Sequence, residues 1–176
     1  MVQRYDLELL LKKAKPFDQL PAKDRKKLVG LSHERQFSRG ETIFHEGRPS
    51  DSIWLVLDGR VSLVHYLSSG KIQTSCVMTS GETFCCLPAL DQKTYPATAV
   101  AATKARVLQI PTALFHEMMR KSPEVLKETL CFFCDRLRQV EIRACSLSDP
   151  AERRIARMLL KLDEKFGKTI PLTKQE

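Results

Sequence analysis

The chain predicts an α+β fold: an antiparallel β-roll flanked by helices and followed by one long helix. Between residues 34 and 111, short runs rich in Val, Ile, Thr and Phe are broken by glycines at 40, 47, 59, 70 and 81. Breaks about ten residues apart are the spacing of antiparallel strands in a roll or barrel. On either side of that stretch the apolar period changes from two to that of a helix. After it, Leu126, Leu130, Phe133, Leu137, Val140 and Ala144 recur at intervals of 4, 3, 4, 3 and 4, the seam of a helix that pairs with another helix.

Taken in order, residues 6–15 and 21–31 read as two short helices, the second with Pro21 at an early position and Leu28 and Leu31 along one side. The clearest strands are 52–57, 61–66, 72–78 and 106–110. Asp58-Gly59 between the first two predicts a two-residue hairpin, and Ser68-Ser69-Gly70-Lys71 the next turn. A short helix follows over 112–119. Ser122, Pro123 and Glu124 then supply an N-cap, a first-turn proline and a first-turn acid for the long helix. Ser148-Asp149-Pro150 ends it, and residues 151–166 form another helix. There Ile155, Leu159 and Leu162 are expected inward, Arg153, Arg154, Arg157 and Lys161 outward, and Gly167 closes the helix. Thr173 to Glu176 reads as the opening of one more helix, so the C-terminus is expected to be an interruption rather than a natural end. The domains predicted are 1–122, 123–147 and 148–176.

With 43% hydrophobic and 28% charged residues in 176, the chain carries enough apolar material for one core and a small appendage. No apolar run approaches the roughly 20 residues of a spanning helix, and the N-terminus lacks a signal-peptide pattern, so a cytoplasmic protein without membrane contact is expected. Net charge is +8 from 29 basic and 21 acidic residues, which suits a polyanionic partner without identifying one. The six cysteines are expected to be thiols.

Several strings in this order resemble the catabolite-activator and fumarate-nitrate-reductase (CRP/FNR) superfamily of regulators. Phe37 to Gly47 resembles the family's opening strand and turn, and Ile53 to Val61 its hydrophobic run followed by Gly-x-Val. Gly81-Glu82-Thr83-Phe84 stands at the phosphate loop of the cyclic-nucleotide binders, while Arg154-Ile155-Ala156 and Leu172 to Glu176 resemble the start of a winged helix-turn-helix. The resemblance covers nearly the whole chain. It implies a sensing jelly roll like those that bind cyclic nucleotides, a dimerisation helix seamed by Leu126, Leu130, Phe133, Leu137, Val140 and Ala144, and a truncated DNA-binding domain. Homodimerisation, DNA and a small-molecule or gas effector are the partners implied, and the DNA-reading residues would lie past Glu176.

The resemblance also implies an effector site at Gly81, Glu82, Thr83, Phe84, Cys85, Tyr95, Pro96, Ala97, Thr98 and Val140. Family binders of cyclic nucleotides meet the phosphate with backbone N–H groups and an arginine, and the ribose with the glutamate. Here Tyr95 or Pro96 stands in the arginine's place. Each charge-assisted hydrogen bond lost costs about 1.5–3 kcal/mol, which disfavours cyclic AMP. The run Tyr95-Pro96-Ala97-Thr98-Ala99 is instead similar to the redox- and nitric-oxide-responsive branch, including the dissimilatory nitrate respiration regulators, where haem is a candidate cofactor.

Axial ligands for haem would come from His33, His45, His65, His116, Cys85, Cys86 or Met78, although each histidine also reads as an ordinary loop or strand-edge residue. An N-terminal iron–sulfur cluster is disfavoured because no cysteine precedes Cys76. Cys131-x-x-Cys134 and Cys85-Cys86 read first as small buried residues, with a thiol switch or metal binding as alternatives, and Cys134 and Cys145 could meet their mates across a dimer. Glu82 without a ribose is expected to pair with a base or face solvent, and Trp54 to be core. Two other classes share part of this pattern. A cyclic-nucleotide module of a kinase or channel shares the roll but not the seam helix, and a cupin enzyme needs a two-His-one-carboxylate set that His45, Glu46 and His65 do not complete. No catalytic residue and no metal site are expected.

Overall fold

A computed structural model describes residues 4–145 and 149–166. They fall into two compact units, one up to Phe133 and one from Cys134 onward. The first unit opens with helices α1 (Arg4–Leu11) and α2 (Ala22–Leu31). Strands β1 (His33–Phe37), β2 (Thr42–Phe44), β3 (Ser52–Asp58), β4 (Arg60–Tyr66), β5 (Ile72–Thr79) and β6 (Thr83–Phe84) follow. Helix α3 (Cys86–Asp91), strands β7 (Thr98–Ala101) and β8 (Ala105–Pro111), helix α4 (Thr112–Lys121) and helix α5 (Pro123–Cys145) complete the run into the second unit, where α6 spans Ala151–Phe166.

The eight strands make two four-stranded antiparallel sheets, ordered β1-β8-β3-β6 and β2-β7-β4-β5. The first sheet is covered on both faces, which explains why β3 reads as an unbroken apolar run rather than an alternating one. Its Ile53, Leu55 and Leu57 join Leu108 and Ile110 of β8 against helical residues Leu11, Leu28 and Phe115. Its Trp54 and Val56 join Val107 and face Phe44, Val61, Ala99 and Ala101 of the second sheet. Alternate side chains of one strand thus serve two separate cores.

The predicted hairpin at Asp58-Gly59 does not form. β3 pairs with β6 and β8, whereas β4 pairs with β5 and β7, so the turn carries the chain from one sheet to the other. Gly59 has φ +81°, and a Cβ there would lie 2.2 Å from the Lys104 carbonyl oxygen, so the corner needs glycine for both its conformation and its close approach. The turn at residues 68–71 is a true hairpin, closed by the Leu67 N–H donating to the Lys71 carbonyl at 2.9 Å. Helix α1 stops at Leu11 rather than Lys15, because Lys13 and Ala14 bond three residues back and tighten the last turn. In α2 the buried pair is Leu28 and Val29, and Leu31 is half-exposed.

Helix α5 begins where the cap predicts. The Val125 N–H reaches Ser122 Oγ at 3.4 Å and the Leu126 N–H reaches the Ser122 carbonyl at 3.2 Å. Val125 and Thr129 are buried, and Phe132 and Phe133 pack against the helical core. Phe133, expected in the pairing seam, therefore rests against its own roll, since it lies only one helical turn from Thr129. The seam residues Leu126, Leu130, Leu137 and Val140 are 44–60% exposed, and Ala144 is exposed as well.

In the second unit α6 covers the predicted span, with Arg157 bonded to the Asp149 carboxylate. Ile155 and Leu159, expected inward, are exposed among the described residues. The predicted features at residues 146–148 and 167–176 lie outside the described residues.

Candidate functional site

The turn that links β5 to β6 carries the predicted phosphate-loop residues. The Gly81 N–H donates to the Val56 carbonyl at 2.8 Å, the Glu82 N–H to the Thr79 carbonyl at 3.0 Å, and the Val56 N–H to the Glu82 carbonyl at 3.1 Å. Two donors of the loop are thus engaged within the protein. The Glu82 carboxylate accepts from the Thr79 N–H at 2.6 Å and from the Thr79 hydroxyl at 2.8 Å. Glu82, expected to pair with a base or face solvent, also folds back to cap its own turn, because a carboxylate three residues after an N–H reaches it without crossing the site. Thr83 and Phe84 pair with Leu55 and Trp54, and the Thr83 hydroxyl donates to the Lys15 carbonyl. Cys85 adopts φ 62° at the start of α3. Burial pushes its thiol well above the ordinary cysteine range, with Cys86 and Cys76 adding to the effect, so it stays a thiol.

Tyr95 stands at the centre of the roll. Its ring stacks on Phe44 with centroids 3.8 Å apart and planes at 17°, and Phe44 lies 5.8 Å from Trp54 and 6.2 Å from Phe84. The Tyr95 hydroxyl accepts from Trp54 Nε1 at 3.2 Å and has Asp51 Oδ1 and the Ser52 carbonyl each at 3.3 Å as acceptors. Burial is the chief cause that raises its pKa from 10.0 to about 12. The Trp54 hydrogen bond opposes the rise and the Asp51 carboxylate adds to it. Four aromatic rings therefore cluster in the interior between the sheets, and the Tyr95 hydroxyl is neutral.

The fold agrees with what known proteins show. Residues 34–122 match the family described as "Cyclic nucleotide-binding domain". The chain belongs to that family. It is 25% identical over 132 residues to the CRP-like cAMP-activated global transcriptional regulator of Mycobacterium tuberculosis, covering 74% of this chain and 59% of that protein. It is 30% identical over 105 residues to lysophospholipase nte1 of Aspergillus niger, covering 60% of this chain and 7% of the lysophospholipase. The chain thus spans 59% of the mycobacterial regulator and 7% of the lysophospholipase. The sensor domain of the transcriptional regulator DNR from Pseudomonas aeruginosa superposes with a TM-score of 0.72 over 79% of this chain and 93% of that domain, at 19% identity, and shows the fold alone.

Within this cyclic nucleotide-binding domain the structure brings Phe84, Cys85 and Tyr95 toward one interior. Ala97 is buried, and buried Thr98 uses its Oγ1 to accept the Glu46 N–H at 3.1 Å, whereas Pro96 is exposed. Val140 is exposed in the other unit.

The residues do not assemble a haem slot. His65 Nδ1 is 3.2 Å from Glu46, His116 Nε2 is 2.7 Å from the Ala89 carbonyl, His33 is exposed on an edge strand, and Met78 and Cys86 are packed in the cores. His45 is exposed at the lip of a cleft that Arg35, Arg48 and Asp51 line together with aromatic side chains, whereas haem needs an axial ligand inside an apolar slot. Cys131 and Cys134 are exposed rather than buried, while Phe132 and Phe133 between them take the positions that pack against the helical core. Among the described residues no group of three His, Cys, Asp or Glu could hold a metal ion, and no helix is long and apolar enough to cross a membrane.

Sequence reasoning missed Phe44 as the partner of Tyr95, and the cleft residues Arg35, Arg48 and Gln109. One signal was present for the cleft. Arg35 and Gln109 occupy strand positions whose neighbours two residues away, Phe37 and Val107, point into the core.

Proposed function

We propose that the chain is the sensory part of a homodimeric, DNA-binding transcription regulator of the CRP/FNR type, working in the cytoplasm and catalysing nothing itself. An effector bound in the roll would shift the pairing of α5 and so the spacing of two DNA-reading domains, provided it binds the two arrangements unequally. The single observation that carries the reading is the row of exposed apolar side chains Leu126, Leu130, Leu137 and Val140 on the helix that leaves the roll. A helix with such a stripe is stable in water when a second stripe covers it. The matched mycobacterial regulator supports the same reading.

The effector is read as something other than a cyclic nucleotide. A phosphate entering beside Tyr95 would meet a neutral hydroxyl and stacked rings instead of a guanidinium, and Glu82 would have to leave Thr79 to reach a ribose. Together with the Tyr95-to-Ala99 run, this supports the redox- and nitric-oxide-responsive branch.

Sedimentation is expected to show a dimer, and the double variant Leu130→Arg, Leu137→Arg a monomer with an unchanged far-UV spectrum. A wild-type protein that stays monomeric at high micromolar concentration removes the mechanism. Calorimetry with cyclic AMP and cyclic GMP is expected to give no heat of binding. Micromolar affinity would instead make the chain a cyclic-nucleotide module. Full-length protein that never shifts DNA in a gel, with any effector, refutes the regulator.

A further inference from the structure

We propose a second ligand site, at the opposite edge of the roll from the phosphate loop, built to take a small planar aromatic carboxylate between Arg35 and Arg48. It does not rest on the dimer, and it shares Tyr95 with the effector residues named above. In the two sheets β1 and β2 are the edge strands farthest from β6 and β5, so the mouth of a cleft along β1 and β2 lies at the other edge from Gly81 and Glu82, while its floor reaches Tyr95 and Trp54. That cleft has a volume of about 500 Å³, within the range of small-molecule sites.

Its floor is the flat wall made by Phe44 stacked on Tyr95, with Trp54 beside them. Its charged lining comes from two separate elements: Arg35 from the middle of β1 and Arg48 from the turn after β2. Arg35 stands in register with Val107, a fully buried residue, so an apolar side chain would serve packing better at that position. The guanidinium instead rises to the mouth, 6.0 Å from the Phe37 ring. Among the described residues no carboxylate forms an ion pair with Arg35 or Arg48. The one acid in the lining, Asp51, is engaged by the Tyr95 hydroxyl at 3.3 Å.

Two open guanidinium groups above an aromatic floor match a ligand with a ring and an anionic fork. Arginine meets a planar carboxylate through two parallel N–H donors, and aromatic faces prefer offset stacking. The ring stack continues from Phe44 to Phe84, so an occupant would press on the same aromatic cluster that borders the phosphate-loop position.

Phenylacetate is the probe, titrated into the full chain and followed by calorimetry and by the fluorescence of the single tryptophan, Trp54. Saturable binding with a Kd of about 1 mM or tighter is expected. Arg35→Gln and Arg48→Gln should each weaken it about tenfold, as should the neutral analogue phenylacetamide. Both arginines are exposed, so the variants are expected to melt like the wild type, and Lys71→Gln on the far hairpin serves as a charge-matched control that leaves binding unchanged. Non-saturating fluorescence, equal affinity for phenylacetamide, or wild-type binding by the double arginine variant overturns the proposal. Displacement of phenylacetate by haem with a Soret band overturns it in favour of the macrocycle.

Discussion

Replacing Tyr95 by phenylalanine removes one oxygen from the centre of the roll and leaves the ring stack with Phe44 in place, so no cavity is opened. What is lost is the acceptor for Trp54 Nε1 at 3.2 Å, together with a donor to Asp51 or Ser52 at 3.3 Å. Trp54 is 4% exposed, so water cannot replace the acceptor. Leaving a buried N–H without a partner costs about 1–3 kcal/mol. At a central value near 2 kcal/mol, and roughly 3–5 °C per kcal/mol for a domain of this size, Tm should fall by roughly 6–10 °C. Urea unfolding should show a lower midpoint with the same slope, because the surface exposed on unfolding is unchanged.

The variant also tests the titration of the hydroxyl. The folded-state pKa of about 12 lies above the ordinary value of 10.0. The native state therefore holds this proton more tightly, and its contribution is complete below pH 10 and lost as pH rises toward 12. The difference in stability between wild type and Tyr95→Phe should narrow over that window. A loss below about 0.5 kcal/mol at neutral pH, within the range of an ordinary surface change, would refute the claim that the hydroxyl holds the aromatic cluster together.

Two further substitutions probe the frame around the site. Gly59→Ala puts a Cβ 2.2 Å from the Lys104 carbonyl oxygen in a left-handed conformation and should cost more than about 3 kcal/mol in chemical denaturation. Gly70→Ala, with the same sign of φ and nothing within 4 Å, should cost about 1 kcal/mol. Equal losses would show that the sheet-crossing corner is not tight. The Glu117 carboxyl is held at about 2, below the ordinary 4.5, chiefly by hydrogen bonds from Lys121 and Lys27. Its contribution is present above pH 4.5 and lost as pH falls toward 2. Glu117→Gln should remove that acid-side slope, and an unchanged acid denaturation curve would count against the α2–α4 tie.

Local chemistry decided a good deal of this protein. Glycine-punctuated runs of β-branched and aromatic residues placed the four clearest strands to within two residues, because extended propensity and turn conformation are set by near neighbours. The cap at Ser122, Pro123 and Glu124 placed the start of α5 for the same reason, and the neutral residue expected at the arginine's position was read as Tyr95 or Pro96.

Partner choice was not local. Asp58-Gly59 is chemically suited to a hairpin, yet β3 and β4 separate into different sheets, since each finds its apolar partner far along the chain. The heptad spacing gave no warning that Phe133 would turn back to its own core, nor that Glu82 would satisfy itself on Thr79. Only the folded chain sets Phe44 on Tyr95, 51 positions apart in sequence, and brings Arg35, Arg48 and Gln109 around them. Closing the two sheets over one interior joins strands whose order in space differs from their order in sequence, and that non-local packing is what makes the site.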